Sequence, residues 1–144
     1  MTRLIFYYLL LFAACGYAFW RGKADARIVA AAFFIGSFAT VAVRSHAINA
    51  YSSVEVGVMV IDVLCLLVFI YAAMISDRFW PLWVSGLQLT TSFGHVLKLA
   101  DTHLLPFAYA AALRFWGYPI LFILLIGVWR GHQRLRREPD LAAA

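Results

Sequence analysis

Five stretches of this chain are apolar for nearly the length of a membrane span: residues 4–20, 28–43, 54–76, 79–97 and 104–129. A helix needs about 20 residues to cross the roughly 30 Å hydrocarbon layer. Backbone groups in lipid must be hydrogen-bonded within the segment, so runs of this length read as helices. A β-barrel would instead alternate polar and apolar residues in segments of about ten, and no such segments occur. Composition agrees. The 144 residues are 65% hydrophobic and 13% charged, where a soluble domain carries about 25% charge. So little charge cannot cover a water-facing surface, and so apolar a chain is not disordered.

The expected fold is all-α: a polytopic membrane helical bundle of five transmembrane helices. It has two parts, a bundle over residues 1–129 and a basic tail over 130–144. A four-helix reading requires one run not to span. The fourth is the weakest run, because it carries Ser85, Gln88, Thr90, Thr91, Ser92 and His95. The start is ambiguous in a second way. Residues 4–14 followed by Cys15 resemble a signal peptide, and Phe12-Ala13-Ala14-Cys15 loosely resembles a lipobox, with Phe12 where an aliphatic residue is usual. We expect an uncleaved first helix; cleavage would leave four helices in the same orientation.

Charge sets the orientation. With five spans, one side holds Arg21, Lys23, Arg27, Arg78, Arg130, Arg134, Arg136 and Arg137, and the other Arg3, Arg44 and Lys98. Eight against three places the C-terminus in the cytoplasm and the N-terminus outside. The net charge of +5 therefore reads as orientation and attraction to anionic lipid, not as nucleic-acid binding. Arg130, Arg134, Arg136 and Arg137 are candidate headgroup contacts, each worth about 1 kcal/mol near an anionic leaflet. Beyond Pro139 the end is expected to fray.

Helical geometry then sorts the polar residues. On the fourth helix Ser85, Gln88, Ser92 and His95 fall on one face, and Gly86, Thr90 and Gly94 on the opposite one. The second stripe is a small-xxx-small surface suited to helix packing, so this helix is expected at the centre of the bundle without a broad lipid face. On the third helix Glu55, Asp62, Cys65 and Ser76 share a face; on the second, Ser37, Thr40 and Arg44 do. In the five-span topology the outer half gathers Arg44, Glu55, Asp62, His95, Lys98 and Arg114, with Asp62 about 12 Å along its helix. The inner half reads as almost purely apolar.

An isolated charge at mid-bilayer costs at least ~2.5–3.5 kcal/mol, so Asp62 and Arg114 should be paired, hydrated or neutralised. Two readings follow. In one, Asp62 and His95 carry protons, Arg44 and Arg114 hold an anionic group, and Gln88 and Ser92 line the floor of a pocket. In the other, Asp62 and Arg114 form a structural pair and the fourth-helix stripe bonds its neighbours.

Cofactor chemistry has a thinner basis. A bis-histidine haem needs two inward imidazoles at one depth. His95 fits, whereas His46 falls past its helix end, His103 in a loop and His132 on the opposite side. Cys15 and Cys65 sit in different runs as buried thiols. No Cys/His/Asp cluster has metal-ligand spacing. Neither GxSxG nor HExxH occurs, nor a glycine-rich phosphate loop.

The stretch Ser76-Asp77-Arg78-Phe79-Trp80-Pro81-Leu82-Trp83, continuing through Gln88 to His95, resembles a segment of small uncharacterised bacterial inner-membrane proteins. The resemblance covers about a third of the chain. It implies the bacterial inner membrane and no known activity.

The expected function is therefore non-enzymatic: an accessory or scaffold subunit of a larger inner-membrane complex, with lipids and a membrane protein or a second copy as partners, and no cofactor. The alternatives are a small transporter or ligand-binding membrane protein using the outer pocket, and a haem- or quinone-binding protein built on His95.

Overall fold

Each apolar run folds into one helix, and short polar connections make the helices antiparallel neighbours. The structure, a computed structural model, describes the backbone of residues 2–46, 51–100 and 106–142. Within these, the side chains of 46, 51–55, 99, 106–114 and 140–142 are not described. Glu55 and Arg114, whose side chains the sequence places in the outer half, thus lie outside the described residues, as do the side chains of His46 and His103. The elements are α1 (Thr2–Arg21), α2 (Ala24–His46), α3 (Tyr51–Ile75), α4 (Trp80–Ala100) and α5 (Pro106–Ala142). Among the described residues there is no strand. Three of the helices, α1, α2 and α3, are long and apolar enough to cross a membrane.

The helices close into a ring, each packed on its chain neighbours and α5 returning to α1. Among the described residues α2 alone also reaches across, touching α4 and α5 and so all four others. Its small residues make this possible. Ala26 and Ala30 are buried, and a Cβ on Gly36 would stand 2.6 Å from the Cys65 sulfur of α3. Thiols on both flanks donate to α2 carbonyls, Cys15 to Ala30 and Cys65 to Ala32, each at 3.5 Å.

The expected central place of α4 is thereby corrected. Its polar stripe is buried, but Gly86 and Thr90 are exposed. A Cβ on Gly86 would meet nothing within 4 Å. Leu82, Trp83, Leu89 and Phe93 are exposed beside them. The helix has one inward face and one broad apolar outward face, because α3 and α5 cover only its polar side. Gly86 and Thr90 are thus not packed against a neighbouring helix among the described residues.

The second correction concerns the tail. Residues 130–142 continue α5 without a break, past Pro119 and Pro139, so helix persists to Ala142 where fraying was expected. Two contacts hold the start of this extension. The Arg78 guanidinium lies where a Cβ on Gly131 would project, and Arg21 Nη1 approaches His132 Nε2 at 3.2 Å. At 37 residues, α5 is about 55 Å long at 1.5 Å per residue, much more than one hydrocarbon layer.

These contacts define two ends. The Arg21 end carries the α1–α2 and α3–α4 corners and the α5 extension. The Arg44 end carries the start of α1, where Tyr118 of α5 donates to the Arg3 carbonyl at 3.3 Å. Between them lies a core built from every helix: Leu11, Val29, Phe69, Val84 and Leu121 are fully buried, and the rings of Phe33 and Phe69 stack at 6.3 Å.

Candidate functional site: a carboxylate and imidazole in an interhelical cavity

Asp62 sits on the inward side of α3, facing α4. Gln88 and His95 stand seven residues apart on α4, close to two helical turns, so both side chains project toward the same neighbour. They converge on Asp62. Gln88 Nε2 donates to Asp62 Oδ1 at 3.1 Å and to the Asp62 carbonyl at 3.2 Å. His95 Nε2 lies 2.8 Å from Asp62 Oδ2. With the carboxylate ionised, Nε2–H donates and fixes the ring. Gln88 and His95 are 4% and 7% exposed, and the Asp62 side chain is 20% exposed. Burying a carboxylate is costly unless its lone pairs are used, and here one side-chain donor faces each oxygen.

The opening beside this trio is a cavity of about 150 Å³. Ser37, Thr40 and Arg44 of α2, Tyr7 of α1 and Thr91 of α4 line it with polar groups, while Phe33, Val58 and Ile120 supply apolar wall. Gly36 and Gly117 also border it. A Cβ on Gly117 would stand 3.2 Å from the Tyr7 ring, so a side chain there would push the ring aside by a few tenths of an ångström. The hydroxyls of Tyr7 and Ser37 are 3.2 Å apart. Thr40 and Thr91 donate back to Gly36 and Leu87 carbonyls of their own helices, which leaves their oxygens able to accept. Arg44 is exposed and puts a cation on the cavity wall nearest the Arg44 end.

Of the site residues the sequence singles out, Asp62, His95, Gln88 and Arg44 meet here. Ser92 does not line the cavity. It is buried, and its hydroxyl has no hydrogen-bond partner among the described residues. Thr91, its neighbour, faces the cavity instead. The proposed partner Arg114 lies outside the described residues, and Asp62 takes Gln88 and His95 as partners. Tyr7, which the sequence did not single out as a site residue, points inward. Its heptad relation to Ala14 and its 3.6-residue relation to Leu11, both buried, were the available signal.

A second polar group was not anticipated. At the Arg21 end Asp25 is buried. Ser76 Oγ donates to its Oδ2 at 2.6 Å, and the Ala26 amide to its Oδ1 at 2.8 Å. An acid in the first turn of a helix is favoured by the local dipole, and that placement was legible. Its burial beneath the α3–α4 corner was not. Ser76 is 14 residues beyond Asp62 on one straight element and its corner, about 21 Å along the axis. Phe69, Ala72, Val84, Leu121 and Leu124 are buried between the two polar groups. Ser85, also buried, donates to the Pro81 carbonyl of its own helix.

Among the described residues no group of three or more His, Cys, Asp or Glu side chains is placed to hold a metal ion. For a haem axial pair, His95 Nε2 is turned toward Asp62 and His132 lies at the opposite end. No protein-family model matches the chain, and no curated protein or solved structure matches it.

Proposed function

We propose that the chain is a five-span protein of the bacterial inner membrane, with its C-terminus cytoplasmic. In this reading the cavity beside Asp62 and His95 binds a small hydrogen-bonding solute entering from outside. The observation that carries it is the carboxylate held between Gln88 and His95 on the wall of a cavity that also contains Arg44. An anionic group on the solute would pair with Arg44, and a proton can be held between Asp62 and His95. The cavity volume suits a molecule smaller than most ligands of drug size.

Support for five spans comes from how α4 and α5 distribute their residues. The low hydropathy of α4 comes from its buried stripe, while its outward face is Leu82, Trp83, Leu89 and Phe93. On α5, Phe115, Phe122, Ile126 and Trp129 are exposed. A contiguous apolar surface of this kind fits lipid and not water. The dry layer beneath the cavity supports binding from one side in preference to a continuous pore.

The test uses protein purified into lipid nanodiscs and a panel of small carboxylates, amines and alcohols, read by thermal stabilisation. At least one solute is expected to stabilise the wild type, with the shift lost in Asp62→Asn and His95→Gln while helicity and the unliganded unfolding temperature stay near wild type. Loss of folding in both variants, with no solute effect in the wild type, would make the trio purely structural.

A second reading, the non-enzymatic accessory or scaffold subunit, draws support from the uncovered Gly86 and Thr90 face. Gentle purification from native membranes tests it. A stoichiometric protein partner is expected, and a monodisperse lone chain counts against it.

A further inference from the structure

We propose that Trp20, Arg21, His132 and Arg136 form a binding site for the phosphate of an anionic phospholipid in the leaflet at the Arg21 end. Arg21 closes α1, a helix of 20 residues and about 30 Å, so its head sits at headgroup depth if the helix spans. Its guanidinium carbon lies 4.5 Å above the Trp20 ring, and that ring is 73% exposed, as an aromatic anchor at the lipid boundary is. One of the five guanidinium N–H groups is spent on His132, at 3.2 Å. Arg136 stands one turn beyond His132 on α5, close enough to act on it electrostatically.

Three cationic or ionisable groups from two helices therefore gather without a counter-ion. Among the described residues neither Arg21 nor Arg136 is ion-paired to a carboxylate; the ion pair present is that of His95 and Asp62. Glu138 lies two positions past Arg136, about 200° around the helix, and Asp25 is taken up by Ser76. Arg78 packs against Gly131 from the α4 side and adds positive potential. A phosphate supplies what the cluster lacks: oxygens for a planar guanidinium fork and charge to stabilise a protonated imidazole. Slight burial, then Arg21 and Arg136, holds the His132 imidazole below its ordinary range, so phosphate binding raises it. This site is separate from the diffuse basic stripe of Arg130, Arg134 and Arg137. It rests on the membrane embedding proposed above and not on the Asp62 cavity.

The experiment places the full chain in nanodiscs of phosphatidylcholine, with and without phosphatidylglycerol. It reads the His132 titration by NMR and retained lipid by native mass spectrometry. Phosphatidylglycerol is expected to raise the His132 midpoint and to be retained over phosphatidylcholine. Arg21→Gln and Arg136→Gln should each weaken that retention about fivefold and weaken it further when combined, while the double variant Arg134→Gln with Arg137→Gln, which removes the same two charges, weakens it less than that combination. Equal retention of both lipids, or equal loss in the two double variants, overturns the site. So does an equal His132 shift from inorganic phosphate in phosphatidylcholine alone, which would make the ligand a free anion. Failure to enter nanodiscs at all would instead bring down the membrane reading on which the site rests.

Discussion

The two halves of this bundle solve the same problem in opposite ways. Toward the Arg44 end, helices meet through hydrogen-bonding side chains around a cavity, with Asp62 held by Gln88 and His95. Toward the Arg21 end they meet through close apolar packing, with Leu121, Leu124, Phe69 and Val84 fully buried. Below that packing lies the buried polar contact of Asp25 with Ser76. In a bilayer neither half gains much from hiding apolar surface, because lipid is as apolar as leucine. The dry half holds by dispersion and shape, which tolerate no vacancy. The wet half holds by satisfying groups that lipid would leave bare, and that leaves room for a solute. The difference teaches why the cavity falls at one end: the half that packs tightly is the foundation on which the looser half is kept open.

Truncating the dry half is the strongest way to break this contrast. Phe69→Ala should cost about 3–5 kcal/mol, whereas Val58→Ala, beside an existing cavity, should cost only about 1 kcal/mol. Reversible unfolding in mixed micelles measures both. Equal losses would mean the two halves are packed alike.

Next in size is a pair of glycine substitutions. In Gly127→Ala the new Cβ would stand 2.7 Å from the Trp80 ring, so the ring must shift at a cost of about 1–3 kcal/mol. Gly86→Ala meets open space and should stabilise the isolated chain by about 0.5–1 kcal/mol, as helix propensity predicts. If Gly86→Ala also releases a co-purifying protein, the α4 face is an intermolecular surface.

Around the cavity the polar contacts can be separated from the volume. Asp62→Ala removes the acceptor that the Gln88 amide and the His95 imidazole share, at about 1–3 kcal/mol. Asp62→Asn keeps the shape and an acceptor oxygen, so its unfolding free energy should stay nearer wild type. Similar losses in the two variants would mean that charge, not hydrogen bonding, holds α3 to α4.

The smallest effect is a pH dependence at the Arg21 end. Because the His132 value is lowered in the folded protein, the unfolded chain binds more protons as pH falls through the ordinary imidazole range, near 6.5. The contact is thus favoured above that range and weakened as acidification charges His132 beside Arg21 and Arg136. Amide hydrogen exchange at residues 130–137 in phosphatidylcholine, after correction for intrinsic rates, should rise on acidification. No change would mean that Arg78 against Gly131 alone anchors the extension.

Helix number, helix type and Asp62 and His95 as separate candidate groups were readable before any coordinates, because periodicity and the cost of a charge in lipid are local properties of the chain. The buried stripe Ser85, Gln88, Ser92 and His95 follows from 100° of rotation per residue. What no local rule settles is which of two lipid-averse faces the bundle covers. Both stripes of α4 qualified, and only the arrangement of α3 and α5 around it buried the polar one and left Gly86 and Thr90 outside. The same arrangement chose Thr91 over Ser92 for the cavity wall, turned Tyr7 inward against Gly117, and put Asp25 beneath the Ser76 corner. It also carried the basic tail on as helix, since Arg21 and Arg78 reach it from corners distant in sequence. Local energetics determined the elements and their polar groups. Tertiary packing alone decided which of those groups face one another, because the rotation and neighbours of a helix are set by contacts that its own sequence does not contain.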